Sequence, residues 1–173
     1  MIIQNVLALK TISWDSHGHK FISPSRSDFI WDQNGLATAY CSDHTHMPPG
    51  EFCSCGIYAT FSWKIAKLYD RRYLNVMLIV EAGGKTILHE YGFRSEQLRF
   101  VAAIRQEDPV FKLATMQAAD YYNIPIVNKY TGLSIMDMQN VHLLHWYEPV
   151  YLERKQAIEL WRLKNEYSTT QVS

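Results

Sequence analysis

The chain has 173 residues, of which 47% are hydrophobic and 13% aromatic, and its 17 basic and 17 acidic residues give a formal net charge of zero. This length predicts one globular domain at residues 1–164, followed by a flexible tail at residues 165–173. The charge balance excludes the overall positive field that draws many proteins to nucleic acid, and no apolar run reaches the roughly 18 residues of a membrane helix. The N-terminal segment lacks the pattern of a signal peptide, so we expect a cytoplasmic protein whose thiols stay reduced.

The first half of the chain has the sequence pattern of β-strands. Segments rich in β-branched and large apolar residues, separated by turn residues, predict strands at residues 5–14, 20–24, 35–41, 56–61, 76–82 and 86–104. The first two form a predicted hairpin with Gly18 in its loop. We also expect a turn at residues 83–85, a turn or bulge at Gly92, and a short helix over residues 63–72 that Ser62 caps.

The second half begins with a helix signal. The Asp108 carboxylate can accept hydrogen bonds from exposed backbone amides, and Pro109 suits the first helical position. The apolar spacing predicts that this helix ends near Asn123. A short strand at residues 124–127 should follow it.

Two more helices are predicted toward the C-terminus. Ser134 and Asp137 have the spacing of a capping box for a helix over residues 135–146, and a last helix is expected at residues 149–164. Strands first and helices later are typical of an α+β fold. We therefore predict an antiparallel sheet from the N-terminal half, covered on one face by the C-terminal helices.

All three cysteines and two of the seven histidines lie between residues 39 and 59. Zinc takes four nitrogen or sulfur ligands in a tetrahedron, and this segment offers three thiols and either His44 or His46. The predicted ligands are Cys41, His46, Cys53 and Cys55. Because residues two apart on a strand have Cα atoms about 7 Å apart, the Cys-x-Cys segment must turn, and Gly56 allows this. With four protein ligands the zinc would be structural, leaving no position for water.

Three other interpretations of the cysteines stay open. They can be free thiols buried in the core, a disulfide in an exported protein, or a nucleophilic cysteine beside a histidine base. If neither His44 nor His46 binds the ion, one coordination position stays open and a catalytic metal becomes the better interpretation.

The motifs around the cysteines resemble those of a family of bacterial and phage-related proteins without a known activity. The family pattern has a cysteine, a His-x-x-Pro, a Cys-x-Cys-Gly-Ile/Leu-Tyr-Ala block and a later Gly-aromatic-Arg-Ala/Ser-Glu block. The matching positions are Cys41, His46, Pro49, Cys53, Cys55, Gly56, Ile57, Tyr58, Ala59, Gly92, Phe93, Arg94, Ser95 and Glu96. The resemblance covers roughly residues 8–104 and favours His46 over His44 as the ligand.

The segment from His89 to Glu96 is dense in ionisable groups. Arg94 and Glu96 lie on the same face of the predicted strand, so they can pair with each other or bind a polar ligand together. If the protein is an enzyme on a nucleotide or nucleic-acid substrate, Arg94 would bind the anion, Glu96 or Glu90 would be the base and His89 the acid.

The function favoured by the sequence is a small zinc-stabilised binding or regulatory protein that engages a protein or nucleic-acid partner. Neutral charge and many aromatic residues support this hypothesis, and the sequence has no convincing nucleophile or acid/base pair. The resemblance to phage-related proteins implies interference with a host system. The enzyme remains the alternative.

Overall fold

The computed structural model describes residues 5–15, 17, 20–23, 26–42, 46–68, 75–143, 152, 155–156 and 158–159, with the backbone alone for residues 20–30. The elements in chain order are β1 (Leu7–Asp15), β2 (Lys20–Ser23), β3 (Arg26–Ile30), β4 (Leu36–Thr38), β5 (Ile57–Thr60), α1 (Trp63–Leu68), β6 (Asn75–His89), β7 (Gly92–Ile104), α2 (Pro109–Tyr121), β8 (Ile126–Val127), α3 (Lys129–Gln139) and a 3-10 turn at Val141–Leu143. The predicted helix at residues 149–164 lies mostly outside the described residues, and the predicted tail lies wholly outside them.

Within the described chain, eight strands form one sheet. Four of them pair in a closed circuit, because β1 pairs with β6, β6 with β7, β7 with β5, and β5 meets β1 at Leu9 and Thr60. Strands β2 and β3 extend the sheet beyond β1, while β4 and β8 flank β7. Only β8 pairs in parallel among these strands, so the predicted α+β class with an antiparallel sheet is confirmed.

Helices pack on both faces of this sheet, whereas the sequence predicted one covered face. On one face α2 joins a large apolar cluster that contains Trp14, Val76, Leu78, Phe100, Ala118 and Tyr122. On the other face α1 and α3 contribute to a second cluster that contains Leu9, Ala66, Met77, Ile79, Leu133 and Met136. Consecutive residues of β6 pack into opposite clusters. Because both faces of the strand are buried, its sequence is a continuous apolar run and does not alternate between apolar and polar residues.

The predicted turn at residues 83–85 is wrong, since β6 continues through it to His89. The pairing of β6 with β7 shifts register between Gly83 and Thr86, and Gly84 has a φ of +67° there, so the segment is a bulge. The chain reverses at residues 90–91, directly before Gly92 opens β7, which confirms the turn predicted at Gly92. Strand β3 was not predicted.

The helix predictions were right for α2 and wrong for α3. The Asp108 side chain accepts a hydrogen bond from the Val110 amide at 2.9 Å, and Asn123, with a φ of +50°, follows the helix end as predicted. Helix α3 begins earlier than residue 135, because Asn128 caps it by accepting from the Thr131 amide at 2.8 Å. The predicted capping residue Ser134 therefore lies inside α3, where no cap is needed.

Candidate metal centre

The sheet brings the two ends of the cysteine segment together. Strands β4 and β5 pair with the same edge of β7, where Thr38 lies opposite Gln97 and Ile57 lies opposite Ser95. Those two β7 residues are only two positions apart, about 7 Å along a strand. The chain between β4 and β5, residues 39–56, is therefore a loop that leaves and re-enters the sheet at nearly the same place, and we call it the ligand loop.

The ligand loop gathers the four predicted ligands into one cluster. One donor atom from each of Cys41, His46, Cys53 and Cys55 lies within 4.8 Å of every other. The Sγ atoms of Cys41 and Cys53 are 3.7 Å apart, and His46 Nε2 is 3.1 Å from Cys55 Sγ. A tetrahedral zinc ion with bonds of about 2.3 Å to sulfur has sulfur–sulfur edges of about 3.8 Å. The cluster is thus the right size to bind a metal ion.

The same distances bear on the other interpretations of the cysteines. All three are free, and 3.7 Å between Cys41 and Cys53 is well beyond the roughly 2.05 Å of a disulfide bond. The three are only partly buried, and none belongs to either apolar cluster of the fold. Their position favours a site at the surface over core packing.

The backbone turns at Cys53–Gly56 as the Cys-x-Cys spacing requires. Gly56 has a φ of +117°, and a Cβ atom there would lie 3.1 Å from the Pro49 Cβ. The Gly50 amide donates to Cys55 Sγ at 3.2 Å, the same sulfur that lies 3.1 Å from His46 Nε2. The local sequence therefore shapes the loop before any ion is considered.

Arg94 holds the ligand loop against the sheet. It lies on β7 with only 6% of its surface exposed, and its guanidinium donates to the carbonyl oxygens of Cys53, Cys55 at 3.2 Å and Glu51 at 3.3 Å. Among the described residues, no carboxylate lies within 4 Å of this guanidinium. Three thiolates, a neutral histidine and Zn²⁺ carry a net charge of −1, so the buried cation of Arg94 matches the charge of a loaded centre.

This role corrects the prediction that Arg94 and Glu96 act together. The Glu96 Oε2 atom accepts from the Lys85 amide at 3.0 Å and closes the bulge of β6. A Cβ atom on Gly84 would lie 2.5 Å from that oxygen, so the bulge is built around the Glu96 side chain. Arg94 and Glu96 lie on the same strand, but Arg94 contacts the ligand loop and Glu96 contacts the bulge of β6.

Three of the four enzyme candidates line one cavity. His89, Glu90 and Arg94 line a cavity beside the ligand loop, while Glu96 is not part of its wall. Burial and the nearby Arg94 charge lower the pKa of His89. A hydrogen bond from Tyr91 engages Glu90 and raises the pKa of the Tyr91 hydroxyl.

Two further predictions have less structural support. His44 lies outside the described residues, so the choice between His44 and His46 as the metal ligand rests only on the cluster that contains His46. In the described part of the chain, no helix is long and apolar enough to cross a membrane.

Comparison of the chain with protein-family models, curated proteins and solved structures finds no match in any of the three. The family resemblance of the motifs therefore stays a prediction.

Proposed function

We propose that this protein is a binding module in which a structural zinc ion, held by Cys41, His46, Cys53 and Cys55, fixes a loop that docks onto a partner protein. Thiolate and imidazole are the ligand types that zinc prefers, and four protein donors leave no position for a catalytic water. The observation that carries the proposal is the exposure of Phe52, which is 98% accessible one residue before a predicted ligand.

The surface of the ligand loop has the composition of a protein interface. Met47 is 70% exposed, and Tyr40 within the loop and Tyr58 just after it are each 49% exposed. Aromatic residues and methionine are enriched where proteins meet, and a loop that is already rigid loses little entropy on binding. A zinc ion and the Arg94 contacts would together provide that rigidity.

A protein partner is favoured over nucleic acid by the charge of the loop. Residues 39–58 contain Asp43 and Glu51 but no lysine or arginine, so this surface cannot neutralise phosphates. Under this proposal, the interference with a host system that the family resemblance implies would act through contact with a host protein.

Metal analysis and site-specific cross-linking test the proposal. We expect about one zinc ion per purified chain, and none in Cys53→Ser. A photo-reactive residue at position 52, introduced in the cell of origin, should cross-link one defined protein in a zinc-dependent manner. Met138 on α3 is 69% exposed and provides a matched control position.

The outcomes separate the two halves of the proposal. Phe52→Ala should abolish partner binding while leaving zinc content and stability unchanged, because the side chain makes almost no contact with the rest of the chain. A protein without zinc contradicts the metal centre. Cross-links that are the same at positions 52 and 138, or the same in Cys53→Ser, contradict the docking loop.

A further inference from the structure

A large cavity lies next to the metal centre, and Cys53 contributes to both. It is bordered by β1, residues 51–54 of the ligand loop, β5, α1 and the turn between β6 and β7. Its volume is about 1250 Å³. Pockets for small molecules and cofactors usually measure about 300–1,000 Å³, so the cavity has room for a ligand as large as a nucleotide.

The wall of this cavity contains a cation with spare hydrogen-bonding capacity. The Lys10 ammonium donates to the Tyr58 carbonyl at 2.6 Å, close to the point where the pairing of β1 with β5 ends. An ammonium has three N–H groups, and in the described residues Lys10 has no carboxylate within 4 Å. Burial lowers the pKa of Lys10 to about 8.

The rest of the lining suits a flat ligand with hydroxyl groups. Tyr58 and Tyr91 line the cavity and are 49% and 44% exposed, so their rings are accessible to a ligand base. Glu51 and Glu90 also line it, and both residues are exposed, so water screens their repulsion of an anion. Carboxylates at such a position accept hydrogen bonds from ribose hydroxyls.

We propose that this cavity binds a nucleoside monophosphate group, with its phosphate at Lys10, its base against the tyrosine rings and its ribose hydroxyls at the two carboxylates. The group is either a free nucleotide or the 5′-terminal nucleotide of an oligonucleotide. The Lys10 contact is made between strands β1 and β5, while Glu51 of the ligand loop also lines the cavity, so the site adjoins the partner-binding surface and shares Tyr58 with it.

Calorimetry on the zinc-loaded protein tests this inference with four probes: adenosine 5′-monophosphate, adenosine, inorganic phosphate and a 5′-phosphorylated dinucleotide. We expect the monophosphate to bind once per chain, and adenosine and phosphate each to bind at least about tenfold more weakly, because each lacks part of the recognised group. If the dinucleotide binds more tightly than the monophosphate, the natural source is an oligonucleotide end; if more weakly, it is a free nucleotide.

Two lysine variants provide the decisive comparison. Lys10→Met keeps the aliphatic stem and should fold, because it removes a charge that burial disfavours, and it should weaken monophosphate binding at least about tenfold. Lys112→Met, on the exposed side of α2, should bind like the wild type, and Lys10→Arg should restore part of the affinity. No binding at millimolar monophosphate, equal binding of phosphate alone, or equal loss in the two methionine variants would overturn the inference.

Discussion

Replacing Arg94 with methionine should loosen the ligand loop and weaken metal binding together. The guanidinium is buried and donates to three loop carbonyls, of which those of Cys53 and Cys55 belong to partly buried residues. Hydrogen bonds from a charged donor contribute about 1.5–3 kcal/mol each. The third acceptor belongs to the exposed residue Glu51 and can bond to water instead. Two lost bonds therefore correspond to about 3–6 kcal/mol of unfolding free energy.

The same loss should appear in the affinity for zinc. If the Arg94 contacts favour the loop shape that binds metal, a loss of about 3 kcal/mol lowers zinc affinity on the order of 100-fold. Urea unfolding of the zinc-loaded protein measures the first quantity, and competition with a chromophoric chelator measures the second.

Arg99 provides the control on the same strand. Its side chain is 64% exposed and pairs with Glu81 at the surface, so Arg99→Met should cost under about 1 kcal/mol and leave zinc affinity unchanged. Equal effects of the two substitutions, or full zinc affinity in Arg94→Met, would refute the assigned role of Arg94.

Three other changes have defined outcomes. Cys53→Ser, or a strong chelator added to the wild type, should lower the melting temperature by about 10 °C through loss of metal binding energy, as scanning calorimetry would show; an unchanged melting temperature would mean that the metal contributes nothing to folding. Because burial lowers the pKa of Lys10 to about 8, folding is opposed by a buried charge at pH 7, and Lys10→Met should be more stable there by about 1–2 kcal/mol after allowance for partial exposure. The difference in unfolding free energy between Lys10→Met and the wild type should shrink between pH 8 and 10.5, where folded Lys10 loses its proton before unfolded Lys10 does. Urea unfolding at several pH values measures it, and a difference that does not change with pH would contradict the lowered pKa of Lys10. Asn140→Ala should lower the unfolding free energy by about 2–4 kcal/mol, because the buried Asn140 amide accepts from the Leu7 N–H at 2.9 Å and donates to the Leu7 carbonyl. Removing the exposed Asn128 cap should lower it by only about 1 kcal/mol. Urea unfolding measures both values, and similar losses for the two substitutions would contradict this prediction.

Local signals in the sequence predicted features that depend on near neighbours. Asp108 and Pro109 marked the start of α2 because a cap and a first-turn proline act within three residues. The hairpin of β1 and β2 followed from two apolar runs around a short turn. The cluster of thiols and imidazole was also readable, since the four residues lie within fifteen positions of one another and zinc chemistry limits the choice of ligands.

Features that depend on distant parts of the chain were decided by the tertiary structure. Arg94 was read as a ligand-binding residue because nothing in its neighbourhood indicates that the loop carbonyls, some forty positions earlier, lie above it. The bulge at Gly84 is recognisable only when Glu96 on the neighbouring strand fills it. Helices cover both faces of the sheet because β6 buries residues on both sides. The ligand types of the candidate metal centre could therefore be predicted from residues close together in the sequence. The buried Arg94 beside it and the adjoining cavity could not, because they depend on pairing between strands that are distant in the sequence.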